Sequence, residues 1–160
     1  MSTTYNQSNN IKTSLYYFIA TQLIADGLSY NLIMGFENAY SVTLPVIAIR
    51  SRIKNLIFAE IGSTKTTKDH TIMIDIFARS EDEKNDMKDW LTDILINGCD
   101  YNTYVIGDDR EPIETETDYK IIVKSINEEN INFNSDLSGL SEHDKYRYRL
   151  NLAVTTNEVV

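Results

Sequence analysis

The chain has 160 residues, 42% of them apolar, and a formal net charge of −9. That is apolar material for one core of ordinary size, so residues 1–160 are read as a single domain. The acidity excludes a surface that binds nucleic acid generally, since such binding depends on Lys and Arg neutralising phosphates. The one cysteine, Cys99, excludes an internal disulfide.

The charge is unevenly placed. Residues 1–79 carry seven Lys or Arg against five Asp or Glu, and residues 80–160 carry eight against nineteen. No apolar run approaches the roughly 20 residues that span a bilayer, and MSTTYNQSNN lacks the basic, apolar, small-residue order of a secretion signal. The expectation is a cytoplasmic protein with no membrane partner.

In chain order, residues 1–8 are polar and predict a flexible tail. With Asn9 or Asn10 as N-cap, Ile11, Leu15, Phe18, Ile19, Gln22 and Leu23 trace a helical stripe over about 10–25, closed by Asp26-Gly27. Tyr16 and Tyr17 lie off that stripe, which suits packing at the helix flank. Residues 30–43 have no clean period and no element is assigned. Pro45 has no N–H to give to a ladder, so LPVIAIRS starts a strand at 45–50. A second strand over 55–61 ends at Gly62, and STKTTKD links it to a third over 70–79.

In that third strand Ile72, Ile74, Ile76 and Ala78 alternate with Met73, Asp75 and Phe77. Both faces are mainly apolar, which puts the strand at the centre of a sheet. Ser80 and Glu83 make a capping box, and Glu81 and Asp82 suit the positive end of the helix dipole. The helix, 81–97, carries Met87, Trp90, Leu91, Ile94 and Leu95 on one stripe, with Lys84, Asp86, Lys88, Asp89 and Asp93 largely outside it. Gly98 supplies the left-handed residue that ends it.

Beyond it, 100–118 and 127–144 read as long loops, the first with room for a short strand at Tyr104 to Ile106. Between them lies a strand at 119–126, with Lys120 and Lys124 on one side of its pleat. The last strand, 145–155, alternates best. Tyr146, Tyr148, Leu150, Leu152 and Val154 point inward, while Arg147, Arg149, Asn151, Ala153 and Thr155 point to a wet face. The two arginines are expected there in water, paired with acidic segments. The fold class is α+β: a mainly antiparallel sheet of about five strands with two helices on one face.

Little catalytic machinery is legible. His70 and His143 are the only histidines, neither in a metal-ligand spacing, and no phosphate-cradling glycine motif occurs among six glycines. Cys99 follows a helix-ending glycine and reads as an incidental small residue. The acidic run Asp108, Asp109, Glu111, Glu114, Glu116 and Asp118 lacks the ordered spacing of a calcium loop. Glu60, Asp75 and the pair Asp118 and Lys120 imitate the carboxylate and D-x-K pattern of metal-dependent nucleases, a short pattern in imperfect order. Asp75 has the alternative of a sheet residue paired to a neighbouring Lys or Arg. The chain is expected to be no enzyme and to need no cofactor or metal.

The order of pieces, from the N-terminal helix through LPVIAIRS, FAEIG and HTIMIDIFARSEDEKNDMKDWLTDILING to DKYRYRLNLAVTT, resembles the tail-completion proteins, or tail terminators, of tailed bacteriophages. The resemblance runs from about Ile11 to Thr156. It implies a structural protein of the virion, assembled in the host cytoplasm, that forms a ring, commonly of six copies, at the tail-tube end or in the neck. Its partners would be its own copies and the adjoining neck, connector and tail proteins, and DNA would pass through without specific binding. Taken with the charge split, the resemblance implies that Arg50, Arg52 and Lys54 with Lys65 and Lys68 meet acidic residues of an adjacent copy or ring, Asp108, Asp109 and Glu111 first among them. Two other readings compete: the carboxylate nuclease, and an acidic DNA mimic, which would display its carboxylates in rows on folded elements rather than in a loop.

Overall fold

A computed structural model describes residues 3–58, 66–131 and 137–157, with only the backbone described for 3–4, 53–58 and 66–68. The elements in order are β1 (Thr3–Thr4), α1 (Gln7–Ala25), β2 (Asn31–Met34), a 3-10 turn (Phe36–Ser41), β3 (Val46–Phe58), β4 (Thr66–Ala78), α2 (Glu81–Leu95), β5 (Cys99–Asp100), β6 (Thr103–Ile106), β7 (Pro112–Thr115), β8 (Lys120–Asn130), α3 (Glu142–Lys145) and β9 (Tyr146–Thr156). The class is α+β and the main sheet mainly antiparallel, but it has six strands rather than five, in the order β2-β3-β4-β9-β8-β5. β2, which falls where no element was assigned, pairs parallel to β3; every other pair is antiparallel.

β4 lies between β3 and β9, as its two apolar faces require. The strands expected at 45–50 and 55–61 are one strand as far as Phe58, and 59–61 lie outside the described residues. β3 crosses the polar stretch between them through a bulge at Ser51/Ile53, where one extra residue, Arg52, shifts the register against β4. A second bulge interrupts β8 against β9 at Val123/Ser125.

α1 and α2 cover one face. Ile11, Leu15, Ile19 and Leu23 of α1 and Met87, Leu91 and Leu95 of α2 close over Ile47, Ile49, Ile72, Ile74, Ile76, Leu150, Leu152 and Val154, all buried. The N-cap of α2 is Ser80, whose hydroxyl accepts from Glu83 N at 3.2 Å. Glu83 reaches back one residue further than a simple capping box, taking Arg79 N at 2.7 Å and the Arg79 guanidinium at 2.6 Å. The hydrogen bond from Arg79 holds the Glu83 carboxyl below its ordinary pKa despite partial burial. Gly98 has φ +68°, and a Cβ there would lie 2.0 Å from the Ile121 carbonyl oxygen, so glycine is required both by the backbone and by the approach of β8.

Several expectations are corrected. Lys84 is buried: its Nζ lies over the Tyr148 ring, 5.6 Å from the centroid, and reaches Glu81 at 2.7 Å. Trp90 is only half-buried, at the edge of the core, where its Nε1 donates to Asp26 Oδ2 at 2.8 Å. The N-cap of α1 is Asn6, whose Oδ1 accepts from Asn9 N at 2.9 Å, because Asn10 is used elsewhere. Residues 1–8 are not simply a tail, since β1 pairs with β6 and Gln7 and Ser8 already belong to α1.

The stretch 100–118 is folded. β6 and β7 form a hairpin that β1 completes as a three-stranded sheet. Polar side chains of α1 hold it down: Tyr104 N donates to Asn10 Oδ1 at 3.0 Å, and Asn102 N to Ser14 Oγ at 3.0 Å. Likewise 127–144 is not all loop, because β8 runs to Asn130 and α3 precedes β9.

Candidate functional site

The face of the sheet away from α1 and α2 is divided. At one end the 3-10 turn packs Ala39 over Val46, Ala48 and Phe77 as a small second core. Next to it the pleat places Asp75 opposite Arg149, which itself lies opposite Glu129, while Arg147 lies opposite Phe77 and Arg50 opposite Met73. Residues directly opposite in a ladder share a face, so four neighbouring strands deliver these charges to one surface.

Asp75 is fully buried and three guanidinium groups converge on it. Arg149 Nε donates to Oδ1 at 2.8 Å, Arg147 approaches Oδ1 at 3.6 Å, and Arg50 approaches Oδ2 at 3.7 Å. The arginine side chains are 15%, 12% and 30% exposed, so Arg147 and Arg149 do not lie on a wet face as expected. They are withdrawn because a buried carboxylate must be paired and their stems can pack on aromatic rings. Arg50 Cζ lies 4.2 Å from the Phe36 ring centroid, and Arg147 Cζ lies 5.3 Å from Phe36 and 5.1 Å from Phe77. Asp75 as a sheet residue paired to arginine was among the readings of the sequence; that it holds three of them was not. The signal available was the juxtaposition of IDIFA with YRYRL, and it needed the strand pairing to be read.

α3 braces the cluster. Tyr40 donates to Asp144 Oδ1 at 2.7 Å, Ser141 Oγ donates to Oδ2 at 2.8 Å, and Arg147 Nη1 lies 3.8 Å from Oδ1. Burial works against the Asp144 carboxylate, but those hydrogen bonds and the charges of Arg147 and His143 outweigh it and hold the carboxyl below its ordinary pKa. At the other end of the face a cleft of about 310 Å³ opens between Arg50, Ser51, Arg52, Met73 and Arg149. Three guanidinium groups line it over the one carboxylate of Asp75, so its surplus charge is positive.

Of the basic residues picked from the sequence, Arg50 and Arg52 line this cleft. Lys54 follows on β3 opposite His70, and Lys68 stands opposite Leu56. Lys65 lies outside the described residues. Asp108, Asp109 and Glu111 belong to the β6–β7 turn of the small sheet, where Asp109 Oδ1 accepts from Glu111 N at 3.1 Å and Arg110 takes φ +66°. Of the six acidic residues only Glu114 lies on a strand of the hairpin, the others standing in the turn or after β7, so the carboxylates do not form the rows on folded elements that a DNA mimic would display. Glu114 of that hairpin is turned to internal use, accepting from Asn102 Nδ2 and from Tyr104 OH.

The nuclease constellation is not assembled. Asp75 stands opposite Arg149, and Ile121, next to Lys120, stands opposite Thr156. Seven strand residues at about 3.3 Å each put the two ends about 23 Å apart. Lys120 pairs instead with Asp100, and Glu60 lies outside the described residues. Among the described residues no group of three or more His, Cys, Asp or Glu is arranged to hold a metal ion. Cys99 is buried, and burial pushes its thiol up to about 12, far from the thiolate a nucleophile needs.

Comparison with known proteins adds no assignment. No protein-family model matches the chain, and no curated protein matches it. No helix among the described residues is long and apolar enough to cross a membrane.

Proposed function

We propose that this chain is a structural protein of a tailed-bacteriophage particle, a tail-completion subunit whose copies close into a ring, six in number, at the tail-tube end or in the neck. One observation carries the reading. The main sheet has two open edges that differ from each other, as a head-to-tail contact between identical copies requires. On one side β2 covers β3 only from Val46 to Ile49, leaving the rest of β3 with no outer neighbour among the described strands. On the other, β5 covers β8 only at Lys120 and Ile121, and Ile122–Asn130 is likewise uncovered. The first open stretch begins with Arg50 and Arg52 and carries no acid. The second carries Glu128 and Glu129, with its one cation, Lys124, paired to Asp69 of the same copy at 2.9 Å.

Two further features support the reading. The charged cluster on the helix-free face is tied into the sheet by its own hydrogen bonds and ion pairs, and it has the character of a structural brace rather than of an acid–base pair. The net charge of −9 suits a channel in which DNA must slide without sticking, because like charge removes the counterion-release gain.

Native mass spectrometry and negative-stain electron microscopy of the purified chain test this. Closed rings with an axial opening are expected. A chain that stays monomeric up to the highest soluble concentration, or that cleaves DNA when a divalent cation is added, contradicts the proposal.

A further inference from the structure

We infer that the contact between copies is a continuation of the sheet: the open edge of β8 in one copy pairs antiparallel with the open edge of β3 in the next, and Glu129 enters the arginine-lined cleft of that neighbour. The inference rests on the ring reading and specifies its interface.

Strand direction comes first. β3, β4, β9 and β8 are joined by three antiparallel steps, so β8 runs opposite to β3. Placing a second copy beside the first in the same sense therefore brings β8 against β3 as an antiparallel pair, the more stable kind. Among the described residues no strand lies outside these stretches, where Ser51 and Arg52 on one edge and Ile122, Lys124, Ser125, Asn127, Glu128 and Glu129 on the other are exposed. β2 also leaves β3 abruptly. Gly35 N donates to Ile49 O at 3.0 Å, and the chain then turns away at Gly35, φ +78°, into the 3-10 turn.

Charge then selects the register. Glu129 shares the helix-free face with Arg149, while Glu128 lies on the helix side, where it accepts from Tyr148 OH at 3.0 Å. Within its own copy Glu129 lies 3.9 Å from Arg149 Nη1 and its side chain is 45% exposed, so its outer side is available. Across the edge it would meet Arg50, which the buried Asp75 already holds, and the exposed Arg52, and the one carboxylate of Asp75, shared with Arg147 and Arg149, leaves positive charge in surplus there. The row Asp75, Arg149, Glu129 would continue through Arg50 and Asp75 of the next copy, alternating in sign from subunit to subunit. Opposite charges across a strand pair favour such a register and like charges oppose it.

Cysteine pairing tests the geometry. Adjacent strands lie about 5 Å apart, within the reach of a disulfide or a short bis-maleimide. R52C mixed with N127C should give a linked dimer under mild oxidation or with the reagent, neither variant alone should, and the double variant should give a ladder of linked species ending at the ring. E129K should weaken self-association about tenfold, as like-charge contact does, and R52E in the same chain should restore part of it. Lys at 108, 109 and 111 together should leave association unchanged. Rings that form without the R52C–N127C link, or that break on reversal of the 108–111 turn and not on E129K, overturn this interface and leave the ring reading standing. No assembly of the wild type overturns both.

Discussion

Asp75 is the residue on which the helix-free face depends. Its carboxylate is fully buried and partners guanidinium groups that are themselves mostly withdrawn from water, so removing it leaves Arg50 without its carboxylate and Arg147 and Arg149 with only their longer contacts to Asp144 and Glu129. Asp75→Ala should lower the free energy of unfolding by about 3–5 kcal/mol, the usual cost of breaking one side of a buried ion pair. Urea titration measures this, and a loss below about 1 kcal/mol would mean that the arginines find other partners. Cys99 makes a second prediction, in pH. Its thiol is held at about 12 in the folded chain against an ordinary 9.0, so its contribution is fully present below pH 9 and is lost as pH rises toward 12. Tyr148 titrates in the same direction, pushed up to about 12 by burial and by its hydrogen bond to Glu128. Stability should therefore decline above pH 9, and less steeply in Cys99→Ala.

At the scale of elements, the junction from α2 to β5 tolerates the least change. Gly98→Ala meets both a positive φ and a carbonyl oxygen of β8, and should cost at least about 2–3 kcal/mol by thermal or chemical unfolding. Trp90→Ala should cost about 2–3 kcal/mol, below the range for a fully buried Trp, because the side chain is only partly buried while its N–H bonds Asp26, just past the end of α1. What was legible in the sequence follows the same division. β4, α2 with its Ser80 cap and β9 stand out because each buries a periodic apolar face, and period is a local property of sequence. β6 shows only as room for a short strand at Tyr104 to Ile106 and β7 not at all, because Asn10 and Ser14, distant in sequence, supply their anchors, and a buried asparagine looks like any loop residue until its partner is known. The break between 50 and 55 misleads for another reason: a bulge lets one strand run through residues that interrupt its alternation. The candidate site was legible only in pieces, since Asp75, Arg147 and Arg149 are each ordinary within their own strand and acquire meaning from register.

For the whole molecule, the two open edges differ in charge: Arg50 and Arg52 stand on β3, while Glu128 and Glu129 lie near the end of β8, whose Lys124 is paired with Asp69. Exposed charges of this kind contribute only about 0–1 kcal/mol per pair, so in the proposed interface they would set partner and register while backbone hydrogen bonds and apolar contact would hold the copies together. R52E, leaving Arg50 on Asp75, should accordingly impair assembly at physiological salt without changing the melting temperature. Normal assembly of that variant would remove charge from the account of the interface. The two bulges have a consequence of their own. Each of the strands that bear the open edges is bent by one, β3 at Arg52 and β8 at Val123/Ser125, and a bent edge turns its neighbour through a fixed angle. If copies join at these edges, the bend decides whether successive rotations close after a whole number of subunits or climb as a spiral. Deleting Arg52 straightens β3 without touching any buried side chain of the helix-covered core. Electron micrographs of that variant should show open filaments or rings of another size, a change in curvature produced by one residue of backbone.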